Sequence, residues 1–599
     1  MPPTKNRLTG ISPGNLVLND GPGKDRFRVN RDYLLSLEPA AYLEAFYKAC
    51  PITEVPEPKP TVSWTGWVGA KHNWAGHDGE FHGHYLSALA RIVGLTGDAE
   101  VRARADALVD ALARFQRPNG SIYIGYVNEN NIDNLFRGIE PRVIVFYTIH
   151  KLLMGWFELY RYAGSDRALD MCRRWADDLA GRIRPLDDTA VEQLLTVEHG
   201  GIAEILLDIA AVTQKQEHLD TGLRLLQKSV IDPLAHGEDR LTNVHANTTI
   251  PILQGAARAY ELTGNEHYRR AVEFFWDLID RTRNFATGSS SSKEFWQAPN
   301  QLKETLNPST QETCVSFNWL RLTEYLLRWT GETRYGDAYE RCHINGILAA
   351  QHPRTGQFVY FMPMKPGPRD PNPDGYDPDP PEQGGKHFGR SLRCFWCCYG
   401  TGSQAFANPL EGAYYQNDDG VWVNQFIASK VSFKHAVLRQ ETGFPFEDRT
   451  RIVVEQAGGD PFSLNIRVPG WRKENARILL NGNPIGENAS YFAWFTLHRI
   501  WKSGDVLDVD LPMSLSTKTI NNDPNCRAVV FGPHVLAGCV GDAAAFQMPD
   551  GEPAEWLESE RNNPLVFVPK PESPIRFIPL CNVTNEEYHV YFDVTGKNQ

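Results

Sequence analysis

The 599-residue chain has no run of 18 apolar residues, so no membrane-spanning helix is expected. It has no surplus of basic charge: 73 Asp and Glu face 61 Lys and Arg, for a net charge of −12. A protein that grips nucleic acid through its phosphates shows the opposite balance, so that class is set aside. Cysteine is scarce, ten in the whole chain, too few for a disulfide-stapled scaffold. No apolar stretch follows the opening Met-Pro-Pro-Thr-Lys-Asn-Arg; with no secretory signal to read, a cytoplasmic, reducing location is expected. Disorder and fibre are excluded as well, because 42% hydrophobic and 22% charged residues are ordinary for a globular protein of several domains. What the chain has in quantity is aromatic side chain, with 15 Trp and 22 Tyr. Such rings stack on flat, partly apolar ligands such as sugars, and they also fill large cores.

Two hydrophobic periods divide the sequence. From about residue 30 to 350, apolar residues recur three and four apart, as in 101–115, 152–162, 168–183, 201–212, 252–262 and 315–329. Near copies of one turn punctuate them: Leu95-Thr-Gly-Asp98, Leu262-Thr-Gly-Asn265 and Trp329-Thr-Gly-Glu332, with Tyr162-Ala-Gly-Ser165 and Val212-Thr-Gln-Lys215 in equivalent places. Each follows an apolar helix, and the Gly can serve as the residue that ends it. Repeated helical hairpins predict a ring of paired helices or an open helical array. After about residue 410 the period becomes two, in Gly420–Ile427, Thr450–Glu455, Phe462–Val468 and Val506–Leu511, which predicts an antiparallel β-sandwich. The division read is an N-terminal segment (1–29), a helical barrel (30–412) and a β-sandwich region (413–599). Between the two regimes, Pro363–Pro381 is rich in Pro, Asp and Gly and reads as a surface loop or a lid.

The cysteines fall into two populations. Cys50, Cys172, Cys342, Cys526, Cys539 and Cys581 are isolated and read as packing residues. The others cluster in Gln311-Glu-Thr-Cys314 and Cys394-Phe-Trp-Cys-Cys-Tyr-Gly-Thr-Gly402. In a reducing compartment these are candidate thiolate ligands. A tetrahedral zinc needs four donors. Glu312 and Cys314 can face one point only from an extended or irregular segment, with Cys397 and Cys398 completing the set and Cys394 in reserve. The spacing is not a standard zinc signature, so it leaves both a metal site and inert thiols open. Histidines recur near helix starts, at His82, His84, His150, His199 and His245, where a ring of helices would line its central funnel.

These residues bear a family resemblance. His82-Gly-His-Tyr-Leu-Ser, Tyr147-Thr-Ile-His-Lys151, Glu198-His-Gly-Gly201, His245-Ala-Asn-Thr248, Glu312-Thr-Cys314, Phe395-Trp-Cys-Cys-Tyr-Gly-Thr-Gly402 and Gly532-Pro-His-Val-Leu-Ala-Gly538 are similar to segments of the β-L-arabinofuranosidases of glycoside hydrolase families 127 and 146, the latter closer. The resemblance implies an (α/α)6 barrel followed by an antiparallel β-sandwich. It implies zinc (Zn2+) held by Glu312, Cys314, Cys397 and Cys398, with Cys397 as nucleophile and Glu294, in Ser292-Lys-Glu-Phe-Trp296, as general acid/base. It places His84, His150, His199, His245 and Tyr360 around the sugar. Glu80 stands where the family usually has a histidine, Thr249 where it has glutamine and Phe295 where it has histidine, changes that bear on which sugar is bound.

The expected activity is exo-hydrolysis of a β-L-arabinofuranoside or related furanoside by retaining double displacement, with sulfur as the nucleophile. The expected partner is a small carbohydrate, neither nucleic acid nor membrane, for a monomer or homodimer. The alternative is an intracellular lyase, isomerase or biosynthetic enzyme on the same scaffold, acting on another sugar or a non-glycan metabolite.

Overall fold

The computed structural model describes residues 6–50, 79–124, 132–136, 145–367, 385–389, 397–472, 475–485, 493–539, 546–571 and 573–595. Most of the Pro-rich stretch 363–381, and Cys394, lie outside these residues.

The helices are α1 (Pro22–Ser36), α2 (Pro39–Ala49), α3 (Glu80–Thr96), α4 (Ala99–Ala113), α5 (Ile132–Phe136), α6 (Val145–Ala163), α7 (Asp166–Ile183), α8 (Asp188–Leu194) and α9 (Ile202–Thr213). They continue as α10 (Gln216–Arg224), α11 (Lys228–Ala235), α12 (Ala246–Thr263), α13 (Glu266–Thr282), α14 (Thr313–Thr330), α15 (Thr333–Cys342) and α16 (Cys397–Ala407). Helices α3, α6, α9, α12, α14 and α16 each touch the next, and α16 returns to α3, closing a ring. Around it, α4, α7, α10, α13 and α15 pack on their hairpin partners and α1 packs on α16. This is the (α/α)6 barrel. The sequence marks the layers: α3 is buried from Glu80 through Val93, as an apolar helix in a ring must be, whereas α7 buries one stripe, including Met171, Trp175 and Leu179.

The repeated turns are helix C-termini. Gly97, Gly164, Gly264 and Gly331, and Gln214 in the same role, have φ between 56° and 71°. Each donates its N–H to the carbonyl four residues back, satisfying a group the helix end would leave bare. The residue after three of these glycines, Asp98, Ser165 and Asn265, caps the next helix with its side chain.

Beyond the barrel the described residues form three sheets. A five-stranded sheet runs Thr9–Gly10, Tyr414–Gln416, Gly420–Val423, Pro461–Val468, Ala493–Ile500. A seven-stranded one runs Asn483–Pro484, Arg477–Leu480, Val506–Asp510, Arg449–Gln456, Ala436–Thr442, Ser429–Phe433, Leu16–Leu18. Two short N-terminal strands thus complete edges built by residues four hundred positions later. One pair departs from the antiparallel pattern: 420–423 and 461–468 run parallel, because the chain between them crosses through the other sheet. A third, eight-stranded sheet spans 515–593 and has its own small core around Leu536, Trp556 and Phe577.

Buried polar contacts lock these parts to the barrel. Arg467, fully buried on its strand, pairs with Asp337 and Glu340 of α15 and donates from Nε to the Asn424 carbonyl at 2.7 Å. Lys386 Nζ donates to the carbonyls of Ala349, Leu580 and Val583. Toward the C-terminal ends of the inner helices charge fills the barrel axis, reaching back to Glu204 in the first turn of α9. Arg91 meets Glu158 at 2.6 Å, Arg258 meets Asp208 at 2.7 Å, and Arg321–Glu204 and Arg328–Glu261 are each 2.9 Å. Arg91 also pairs with Glu411, just past α16. These groups line a cavity of about 460 Å³.

Candidate active site and metal centre

At the opposite end of the axis, the N-termini of three consecutive inner helices, α12, α14 and α16, converge. Glu312 is the N-cap residue of α14, with extended backbone (φ −63°, ψ 137°) and no capping bond from its side chain. Cys314 follows in the first helical turn. That change of backbone at the cap lets two residues two apart face one point. Cys397 and Cys398 open α16, where free amides and the helix dipole favour a thiolate. The ligand atoms of Glu312, Cys314, Cys397 and Cys398 all lie within 4.8 Å of one another, and all four residues are buried. Cys398 Sγ is 3.3 Å from Cys314 Sγ and 3.5 Å from Glu312 Oε1. Glycine makes this approach possible: a Cβ on Gly400 would sit 2.6 Å from the His84 ring.

Electrostatics separate the three thiols. Hydrogen bonds from Cys314 and Cys398, with His84 and Tyr360 nearby, hold Cys397 well below the usual thiol range. Burial pushes Cys314 and Cys398 up, and burial beside Glu294 and Cys397 does the same to Glu312. Four acidic donors this close cannot all ionise without a cation. Glu312 Oε2 is buried with no hydrogen-bond partner, so the donor set is one that fits a metal ion.

Glu294 faces this cluster from a loop. It has φ +71°, and Ser291, Lys293 and Gln311 also have positive φ, a run of left-handed non-glycine residues that a surrounding structure must hold in place. The holding contacts are visible. Ala246 N–H donates to the Glu294 carbonyl at 2.8 Å, Trp296 N–H to Val244 at 3.1 Å, and Gln311 N–H to Ser291 at 2.9 Å. The Tyr360 hydroxyl donates to Glu294 Oε1 at 2.5 Å and lies 3.8 Å from Cys397 Sγ. His245, the N-cap of α12, presents Nε2 to Glu294 Oε2 at 3.6 Å. Its Nδ1 faces the Thr248 hydroxyl at 2.6 Å and the Thr248 N–H at 3.3 Å. Burial favours the neutral ring, but the Glu294 carboxylate and the neighbouring Glu198 and Glu312 outweigh it and raise His245 to about 10.

The remaining pocket histidines are buried and neutral. His84 is pulled down to about 3 by burial and Lys151; Nδ1 bonds Gln404 Oε1 at 2.8 Å and Nε2 has no partner. Burial likewise lowers His150 and His199. His150 Nδ1 accepts from Gly201 N–H at 3.1 Å, so its ring rests on the loop carrying His199. His199 donates from Nδ1 to the Val197 carbonyl at 3.0 Å and leaves a buried Nε2 unpartnered.

The model of the GH127 β-L-arabinofuranosidase catalytic domain matches residues 15–409, and that of the family's middle domain matches 420–513. The chain belongs to this family. As a GH127 member it is a glycoside hydrolase. Solved structures agree in fold: a GH127 β-L-arabinofuranosidase from Geobacillus stearothermophilus T6 (19% identity, TM-score 0.74, covering 97% of this chain and 100% of that one) and the GH127 β-arabinofuranosidase BT3674 (18%, 0.75, 98% of each). A further glycoside hydrolase aligns at 17% identity with TM-score 0.73 over 98% of each chain. No curated protein matches.

Within this GH127 chain the structure gathers Glu294, His245, Tyr360, Glu312, Cys314, Cys397 and Cys398 into one contiguous cluster. His84 lies behind the first turn of α16, and His150 with His199 forms a second arc. Sequence reasoning missed Gln404, which orients His84, Thr401, whose hydroxyl is 3.3 Å from Cys314 Sγ, and Lys151. The Lys151 ammonium is buried over the Tyr147 ring at 4.7 Å. Both ends of that contact are in the motif Tyr147-Thr-Ile-His-Lys151, four apart on α6.

Proposed function

We propose that the protein is an exo-acting, zinc-dependent retaining glycosidase that releases β-L-arabinofuranosyl units, with Cys397 as nucleophile and Glu294 as general acid/base. The observation that carries this is the Tyr360 hydroxyl, which touches both Glu294 and Cys397 at 2.5 and 3.8 Å. Two groups on one hydroxyl cannot be as far apart as the ~6.5–9.5 Å of inverting enzymes, which must seat a water between acid and base. Glu312, Cys314, Cys397 and Cys398 would hold the zinc, whose charge keeps a coordinated thiol deprotonated at neutral pH.

Cys397 Sγ attacks the anomeric carbon as the glycosidic C–O bond breaks, and Glu294 gives its proton to the departing oxygen. Glu294 then takes a proton from water, the water oxygen attacks the anomeric carbon, the C–S bond breaks and the sulfur anion is restored. Two inversions give net retention. Tyr360 holds the Glu294 carboxyl by a hydrogen bond to Oε1, while the His245 ring faces Oε2 at 3.6 Å. The unpartnered Nε2 atoms of His84 and His199 suit sugar hydroxyls, which would otherwise leave them unsatisfied. A reducing location keeps Cys397 and Cys398 available.

The test is Cys397→Ser assayed on an aryl β-L-arabinofuranoside, with mass spectrometry of an epoxide or haloacetamide sugar mimic. Abolished hydrolysis in the variant and an adduct on Cys397 in the parent are expected. Undiminished hydrolysis by the serine variant rules the nucleophile out.

A further inference from the structure

We propose that His245, Glu294 and Glu312 form a second, weaker divalent-metal site, and that filling it switches the enzyme off. The inhibitory part rests on the proposed role of Glu294.

Three observations point to a ligand here. The ligand atoms of His245, Glu294 and Glu312 lie within 4.8 Å of one another. His245 Nε2 and Glu294 Oε2 are 3.6 Å apart, too long for a hydrogen bond but close to the ~3.3 Å edge of a tetrahedron whose N and O ligands sit about 2.0–2.1 Å from zinc. Glu312, 1% exposed, has Oε1 facing Cys398 while Oε2 is buried without a partner. Glu312 belongs to both donor groups, and its two carboxylate oxygens allow it to bridge an ion in each.

The surroundings suit a metal ligand set. Glu294 Oε1 is occupied by the Tyr360 hydroxyl, which leaves Oε2 as the donor. With zinc on Nε2 the neutral ring carries its one proton on Nδ1, which then donates to the Thr248 hydroxyl at 2.6 Å and gives up the bond it accepts from the Thr248 N–H. Metal-bound histidines are oriented by such a bond at the other nitrogen. Two carboxylates and one neutral imidazole bind more weakly than three thiolates and a carboxylate, because zinc favours sulfur. The thiol-rich centre therefore fills first. Once the second ion takes Glu294 Oε2, that carboxyl has no proton to give a leaving group.

The experiment equilibrates the full-length enzyme with graded free zinc, reads bound metal by elemental analysis and calorimetry, and measures hydrolysis in the same samples. The expected result is one tight equivalent, then a second weaker one whose binding curve coincides with loss of activity. His245→Asn and Glu294→Gln should each abolish the second equivalent and keep the first; asparagine still caps α12 and so spares the fold. A single equivalent, or a second that persists in both variants, overturns the site. A second equivalent that these variants remove but that leaves hydrolysis untouched keeps the site and refutes the acid/base role of Glu294.

Discussion

Tyr360→Phe removes one oxygen atom and tests how the proposed acid/base, Glu294, is positioned. The hydroxyl donates to Glu294 Oε1 at 2.5 Å in a half-buried setting. Hydrogen bonds to charged groups are worth about 1.5–3 kcal/mol, which at 1.36 kcal/mol per tenfold gives roughly a 10- to 150-fold drop in kcat/KM. The fold should not respond. The contacts that hold the 360 segment are made by backbone, with Thr313 N–H on the Tyr360 carbonyl at 2.9 Å and the Thr313 hydroxyl on the Val359 carbonyl at 2.8 Å. The assay compares an alkyl with a nitrophenyl arabinofuranoside across pH, alongside the thermal midpoint. The alkyl leaving group needs the proton more, so its loss should exceed that of the nitrophenyl substrate, and the limb of the pH–rate profile set by the acid should move. A drop below about threefold for both substrates, with an unmoved profile, would refute the reasoning, since it would value the bond at well under 1 kcal/mol.

Arg467→Met should destabilise the protein by about 3–5 kcal/mol, because it strands Asp337 and Glu340 as unpaired buried charges; replacing all three with apolar residues should recover most of this in denaturant-midpoint measurements. His534, with no exposed surface and bonded through Nε2 to the Pro445 carbonyl at 2.6 Å, is held down to about 4 by burial. The unfolded chain takes up that proton first, so stability is lost as pH falls from about 6.5 to about 4, by about 3 kcal/mol at the acid end. His534→Gln should flatten the thermal midpoint against pH over that window, and an equally steep acid limb in the variant contradicts the assignment.

The barrel was legible where local chemistry dictates geometry. Gly97, Gly264 and Gly331 each end a helix, and capping residues after Gly97 and Gly264 start the next, so the hairpins could be read directly. Closure of the ring could not, because α16 begins at Cys397 after a stretch with no helical period, and periodicity does not say which helices meet. The sandwich was legible in its longer strands, but Thr9–Gly10 and Leu16–Leu18 are too short to show alternation and exist only because the late strands offer them an edge. At the site, spacing identified four donors yet left their purpose open; the convergence of Glu312 and Cys397 depends on α14 and α16 being neighbours. The axial charges were overlooked because Arg91 and Glu204 sit in otherwise apolar helices, where a single charge signals burial with a partner.

That axial ring of arginines and carboxylates bears on how the barrel assembles. Every inner helix contributes to it, α16 through Glu411, and the partners come from different hairpins: Arg91 from α3 waits for Glu158 of α6, and Arg321 from α14 for Glu204 of α9. Removing the α3, α9, α12 or α14 hairpin leaves at least one of these charges without its counterpart, whereas Arg91 keeps one carboxylate if either α6 or α16 is missing. Rings that lack one of those four hairpins are therefore penalised and the complete one favoured. The complete ring is the arrangement in which every one of these axial charges meets a counterpart, and the same closure brings the N-termini of α12, α14 and α16 together.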